Sequence, residues 1–297
     1  MSLMRTLNRA LTATTGLHVR RAAPVVSAPE ATAPKQAAKK PTAVYRCPAP
    51  EDLATDRLLR RPVFIMSPVR SGSTLLRMLL NAHSRLHSPH ELHIRRLEVG
   101  YGSKLSRKAM SALDLARGDL EHLLWDRVMH RELVRSGKDF IVEKTPSNAF
   151  VYERIRDCWP DARFVFLLRH PVSIARSWHE GDPGRRTYDE AAADALRYMK
   201  AVEKAREGTT GGYTVRYEDL TADPAKELRG LCAYLGVDFE PAMLDYGARD
   251  DTQVVKGLGD WRDKIRTGRV QAGRALPGDD EIPGPLRPMC QAWGYGT

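Results

Sequence analysis

Apolar runs of four to six residues punctuate the chain from Pro62 onward, separated by stretches with helical periodicity. Pro62–Met66 (PVFIM), Phe140–Glu143, Arg163–Leu168 (RFVFLL) and Tyr213–Tyr217 have the length of strands. Helical patterns follow at Leu75–Ala82 (LLRMLLNA), Ser147–Cys158, Val172–His179 and Asp223–Leu235, the last ended by Gly236. A longer helix is expected from about Tyr188 to Glu207, where AAADALRYMKAVEKA has good propensity throughout. This alternation predicts an α/β protein with a central parallel sheet and helices on both faces. No run approaches the ~18 apolar residues of a membrane span, which argues against an integral membrane protein.

Composition changes the picture chiefly at the N-terminus. The 297 residues include 47 Lys+Arg and 37 Asp+Glu, a formal charge of +10. Residues 1–44 hold seven basic side chains and one acid, Glu30, so more than half of that charge sits in this segment. Met1 to about Leu17 has amphipathic spacing, with Leu3/Met4, Leu7 and Ala10/Leu11 on one face, and Arg20 to Val44 is an Ala-, Pro- and Lys-rich linker. We therefore expect a flexible basic leader over 1–44 and a single domain over 45–297. The leader suits a plain disordered tail, an organelle address, or peripheral contact of residues 1–21 with anionic lipid. The modest basic excess of the body suits an anionic small molecule and gives no reason to expect nucleic-acid binding. Cys47, Cys158, Cys232 and Cys290 lie far apart with no CxxC pair, excluding common zinc-finger spacings and a dense disulfide framework. They are expected as small hydrophobes in a reducing, cytoplasmic setting.

Candidate chemistry begins where the first strand ends. Ser67-Pro-Val-Arg-Ser-Gly-Ser-Thr74 is a loop of small residues running into a helix, a geometry that aims backbone N–H groups at an oxyanion. Against GxxxxGK[ST] it keeps Gly72 and Thr74 but has Ser67 for the first glycine and Ser73 for the lysine. Arg169-His-Pro-Val-Ser-Ile-Ala-Arg-Ser177 is a second strand end entering a helix, with Pro171 where a first turn tolerates it. Arg169 and Ser177 could both reach one phosphate there, and a rim salt bridge is the plainer use of Arg169. Two anion-binding strand ends suggest a ligand charged at both ends. The body is thus expected to be a three-layer, P-loop-like fold.

These blocks resemble the sulfotransferases that use 3′-phosphoadenosine 5′-phosphosulfate (PAPS). Arg70–Thr74 (RSGST) looks like the family's 5′-phosphosulfate loop, and Leu167–Ser177 (LLRHPVSIARS) is similar to its 3′-phosphate motif. Val215–Leu220 (VRYEDL) matches the strand whose Tyr, here Tyr217, lies near the nucleotide. Val255–Trp261 (VKGLGDW) resembles the C-terminal segment whose Lys and Gly, here Lys256 and Gly257, close over the donor. The resemblance implies that Arg70, Ser71, Gly72, Ser73 and Thr74 hold the 5′-phosphosulfate, and Arg169 and Ser177 the 3′-phosphate. It further implies sulfuryl transfer to an acceptor hydroxyl on a small molecule, glycan or peptide, with release of adenosine 3′,5′-bisphosphate (PAP). Trp261 would stack on a ligand or anchor its segment, and Tyr217 could equally be core.

Lys144, in Glu-Lys-Thr-Pro146 after a strand, is the natural cation for the leaving oxygen. Cytosolic phenol- and steroid-type members carry a His two residues after that Lys, where this chain has Pro146. The likeness is closer to tyrosyl-protein and bacterial members, and those that sulfate protein tyrosines use as base a Glu shortly after the first helix. Glu91 stands there, with His90 and His93 as competitors nearer neutral pKa. His83, His87, His90 and His93 are spaced in a way that suggests a metal, but Pro89 argues against the continuous helix it would need. Transfer of a sulfuryl group needs no divalent cation if Arg, Lys and backbone N–H neutralise the charge that develops. Arg95, Arg96, Arg107 and Lys108 form a basic rim that could greet an anionic acceptor. A P-loop kinase is the main alternative, disfavoured by Ser73 and by the lack of a magnesium aspartate; a non-catalytic anion binder is the other.

Overall fold

The apolar runs pair into one parallel sheet in the computed structural model of the chain, which describes residues 57–248 and 267–296. The strands are β1 (Val63–Met66), β2 (Leu86–His87), β3 (Phe140–Glu143), β4 (Arg163–Leu168) and β5 (Tyr213–Arg216), in the order β2-β3-β1-β4-β5. Val63 lies opposite Val142 on one side and Arg163 on the other, and Leu168 lies opposite Arg216. All strands point the same way, so their C-terminal ends share one edge.

Side-chain alternation along these strands divides the core in two. Phe64, Met66, Ile141, Phe164, Phe166 and Leu168 face α3 (Arg117–Ser136), α4 (Tyr152–Cys158), α5 (Pro171–His179) and α6 (Tyr188–Glu207). Val63, Ile65, Val142, Val165, Leu167 and Val215 face α1 (Ser73–Asn81), α7 (Tyr217–Ala222) and α8 (Pro224–Leu235). The expected three layers are therefore present, with apolar residues at both parities because both faces are covered. Gly236 ends α8 at φ 69°, the left-handed conformation for which glycine is suited.

Several elements lie beyond the sequence expectations. The helix expected over Ser147–Cys158 is a 3₁₀ turn over Pro146–Val151 followed by α4, with Pro146 at its start. Tyr217 opens α7 instead of closing β5. The two-residue edge strand β2 and the exposed helix α2 (Lys104–Ala112) were not expected, and neither was the 20-residue α3, whose apolar period is weak. The reason in α3 is its buried face, which is partly polar. Asp126 accepts from Leu58 N at 2.9 Å, Leu59 N at 3.1 Å and Trp159 Nε1 at 2.9 Å. Arg154 donates to Glu121 at 3.0 Å and to His122 Nε2 at 3.1 Å. Burial and the nearby Arg154 and Arg57 push the His122 pKa down to about 3, so it accepts as a neutral imidazole at physiological pH.

The C-terminal helix α9 (Arg287–Ala292) leads the chain back to the strand ends. Arg216 donates to Trp293 O at 2.6 Å, and the Tyr295 hydroxyl to Glu218 at 2.6 Å. Cys158, Cys232 and Cys290 are buried, with Cys158 Sγ 3.8 Å from His122 O, and burial raises the Cys232 and Cys290 thiols to about 11. Among the described residues no helix is long and apolar enough to cross a membrane.

Candidate active site

The loop after β1 turns on two left-handed residues, Arg70 at φ 70° and Gly72 at φ 91°. A Cβ on Gly72 would lie 2.3 Å from Tyr217 Cδ2, so glycine admits both the backbone conformation and the ring packed on it. Ser71 Oγ donates to Pro68 O at 2.8 Å and braces the turn. Gly72 offers no side chain to cap α1. Ser67 Oγ is buried there without a hydrogen-bond partner. Ser73 and Thr74, both buried, form the first turn of α1.

β4 ends beside this loop. Arg169 Nη1 donates to Arg70 O at 2.9 Å, and its guanidinium lies 4.4 Å from the Tyr217 ring centroid. Arg169 Nε is buried with no partner, and desolvation lowers the guanidinium pKa. A buried donor of this kind is costly unless an acceptor arrives. From α5, Ser177 Oγ accepts from Arg70 Nε at 3.2 Å. His170 caps α5 through Nδ1, which accepts from Val172 N at 3.3 Å, while its own backbone N–H donates to Glu218 at 3.1 Å. Arg70, Gly72, Arg169, Ser177 and Tyr217 are thus one cluster over the ends of β1, β4 and β5. The orphaned donor and the uncapped helix start fit an anionic ligand.

A second cluster lies on the other side of β1, at the end of β3. Lys144 is only 1% exposed and forms a buried ion pair with Glu91. Desolvation lowers the Lys144 pKa, and Glu91 opposes that shift. His93 Nε2 is 3.4 Å from the other Glu91 oxygen, so Glu91 and one of its two competitors share a site. Arg77, buried in α1, donates to Ser88 O at 2.8 Å and Pro89 O at 3.2 Å. Its pKa is lowered to about 10 by desolvation, which Glu91 partly offsets. Asn81 accepts from Ser88 N at 2.9 Å, so α1 holds the Glu91 loop from beneath.

Sequence reasoning passed over Arg77, Asn81 and Glu143. The signal for the first two is a pair of polar residues four apart within an otherwise apolar helix. Glu143 is an acid closing an apolar strand, the kind of residue the sequence reading had not found. Its oxygens accept from Leu92 N at 3.2 Å, Thr145 N at 3.2 Å, Thr145 Oγ1 at 2.6 Å and Asn148 Nδ2. Four donors leave no lone pair facing a metal. Burial raises its pKa to about 7.

His83 and His87 do not join His93 at Glu91. His83 Nε2 donates to Asp238 O at 2.8 Å while Nδ1 accepts from Arg85 N at 2.9 Å, which defines a neutral tautomer. His87 meets Glu132 at 3.0 Å. The segment from Ser88 to His93 is irregular, as Pro89 required. On the basic rim, Arg95 is tied to Ser147 at 3.0 Å and Arg107 lies over Tyr101. Lys256, Gly257 and Trp261 lie outside the described residues, as do the leader and Cys47.

Comparison with known proteins agrees with this architecture. Nodulation protein NoeE of Sinorhizobium fredii is 26% identical over 229 residues, covering 65% of this chain and 54% of that protein. The chain thus spans about half the length of that relative. The sulfotransferase domain of the curacin biosynthetic pathway matches with TM-score 0.57 at 22% identity, over 80% of this chain and 98% of that one. The sulfotransferase domain of the Synechococcus PCC 7002 olefin synthase matches with TM-score 0.58 at 22% identity, over 85% of this chain and 100% of that one. These solved structures share the fold. The sulfotransferase family model matches residues 62–241, more than half of the chain and the whole of both strand-end clusters, and the protein belongs to the sulfotransferase family.

Proposed function

We propose that the chain transfers a sulfuryl group from PAPS to a hydroxyl of its acceptor. The observation that carries this is the Arg70–Arg169–Ser177 cluster, which brings cations from two strand ends together around a buried donor with no partner. The loop over Arg70–Thr74 would bind the 5′-phosphosulfate, and Arg169 and Ser177 the 3′-phosphate, with the adenine side near Tyr217. Lys256 and Gly257 would close the site.

The donor supplies an activated sulfur–oxygen bond, and the chain's own residues supply charge and a proton acceptor. Glu91 would take the proton of the attacking hydroxyl as the acceptor oxygen–sulfur bond forms. Lys144 would hydrogen-bond the departing 5′-phosphate oxygen as the donor's sulfur–oxygen bond breaks. Their ion pair supports this division, because separating the two exposes a carboxylate and an ammonium together. Stabilisation by fixed cations and N–H groups asks for no metal in the transfer step.

Calorimetric titration with PAP tests the reading, with 5′-AMP and Mg·ATP as comparators. Micromolar binding that requires the 3′-phosphate is the expected result. Tight ATP binding without a 3′-phosphate preference would replace the sulfotransferase reading with that of a phosphoryl-transferring kinase.

A further inference from the structure

Three adjacent residues of the Glu91 loop meet three adjacent residues at the end of β3. The Glu91 carboxylate pairs with Lys144, Leu92 N–H donates to Glu143 Oε1 at 3.2 Å, and His93 N–H donates to Thr145 Oγ1 at 3.2 Å. Thr145 Oγ1 in turn donates to Glu143 Oε1 at 2.6 Å, so both backbone contacts lead to one carboxylate. Glu143 is 1% exposed, and its second oxygen is held by Thr145 N and Asn148 Nδ2. A buried carboxylate is costly, and the ordinary remedy at a strand end would be an apolar residue. Here it gathers donors from the loop, the strand end and the following 3₁₀ turn. Ile141 belongs to one core face and Val142 to the other, so by parity Glu143 and Lys144 point to opposite sides of the sheet and the loop straddles the edge between them.

We propose that Glu143 is the positioning residue of the transfer centre, fixing the Glu91 loop to β3 so that Glu91 and Lys144 stay in register. It touches neither donor nor acceptor and acts through those two residues. This inference rests on the sulfotransferase reading for its catalytic meaning, but the clamp itself is a property of the fold and is tested separately. Removing the side chain frees Leu92 N–H and loosens Thr145, so the loop drifts while the Arg70–Arg169–Ser177 cluster, across β1, keeps its contacts. In Glu143→Gln the amide oxygen still accepts from Leu92 and Thr145 Oγ1. Asn148, whose Oδ1 is buried without a partner, can then turn over to accept from the new amide, at the cost of leaving Thr145 N–H and the turned Asn148 Nδ2 without acceptors.

The test compares the full-length wild type with Glu143→Ala and Glu143→Gln in three measurements. These are amide hydrogen exchange at Leu92 and His93, the PAP dissociation constant, and the rate at which saturating PAPS is desulfated with water as the only acceptor. Exchange at Leu92 and His93 should rise about 10-fold or more in Glu143→Ala while that of Val165 and Phe166 in β4 stays constant. Desulfation should fall about 10-fold or more with PAP affinity changed less than about 3-fold, and Glu143→Gln should recover most of both losses. Should Glu143→Ala not fold, Glu143→Asp takes its place, since one methylene less withdraws the carboxylate from Leu92. Unchanged exchange at Leu92 would overturn the clamp. So would PAP affinity falling in step with rate, or Gln proving as damaging as Ala, because each would make Glu143 general structural support. A wild type that binds no PAP would instead defeat the donor reading and leave the exchange comparison to judge the clamp.

Discussion

On the β4 side of β1, one buried cation, Arg169, keeps unfilled hydrogen-bonding capacity. Arg169 Nε is buried without a partner, Ser67 Oγ likewise, and α1 begins on an uncapped glycine. On the β3 side, the charged groups find partners within the protein. Lys144 pairs with Glu91, Arg77 is held by two carbonyls, and Glu143 accepts from four donors. An unfilled cationic site is made to receive an anion, whereas a balanced one is made to shift charge without importing it. On the proposed reading the same strand edge would separate holding the donor from transferring its sulfuryl group, and the difference would lie in which polar atoms were left without partners.

Variants can break or sharpen that contrast. The largest effect is expected for Lys144→Ala, where losing a cation at the developing charge should slow PAPS desulfation ~10²–10³-fold. Arg169→Ala should weaken PAP binding ~10–100-fold by titration calorimetry, the range for a charge-assisted hydrogen bond to phosphate, and should affect 5′-AMP much less. Gly72→Ala places a Cβ 2.3 Å from the Tyr217 ring at φ 91°. It should lower thermal stability by ~1–3 kcal/mol in a melting experiment and weaken PAP binding with it. Ser177→Ala, which removes one neutral partner of Arg70, should cost only about 2–10-fold in PAP affinity.

The balanced side also has a pH signature. Burial raises the folded-state pKa of Glu143 to about 7 from the ordinary carboxylate value of 4.5, against the opposing pull of Thr145, Leu92 N–H and Lys144; Glu91 adds to the rise. The folded state thus binds the proton more tightly than the unfolded chain between those values. The contribution to stability is full below about 4.5 and is lost as pH rises through about 7. Melting curves should accordingly show Glu143→Gln gaining on the wild type across that window, with no further gain above it. A constant offset from acid to neutral pH would remove Glu143 from the titrating groups.

How much of this could be read in the residues follows the same physics. Strands Phe140–Glu143 and Arg163–Leu168 and the helix Tyr188–Glu207 match their expected bounds, because continuous apolar runs and good helix formers leave little competition. The loop Ser67–Thr74 and the Arg169–Ser177 segment stood out because their small residues and cations are next to each other in the chain, and the structure brings the two segments together. Arg77, Asn81 and Glu143 were not, since each satisfies partners in an irregular segment outside its own element and looks locally like a polar intrusion into an apolar one. Helix α3 escaped for a related reason. Glu121, His122 and Asp126 face inward while Leu123 and Val134 are exposed, so the apolar stripe on which a helical reading depends is broken.

The most direct test of the two-sided account measures rate and affinity together in two variants. PAPS desulfation at saturation and the PAP dissociation constant would be determined for the wild type, Lys144→Ala and Arg169→Ala. The account predicts that Lys144→Ala loses far more rate than affinity, and Arg169→Ala far more affinity than rate at saturation. If both variants lost rate and affinity in the same proportion, holding and transferring would not be separate functions of the two sides of β1.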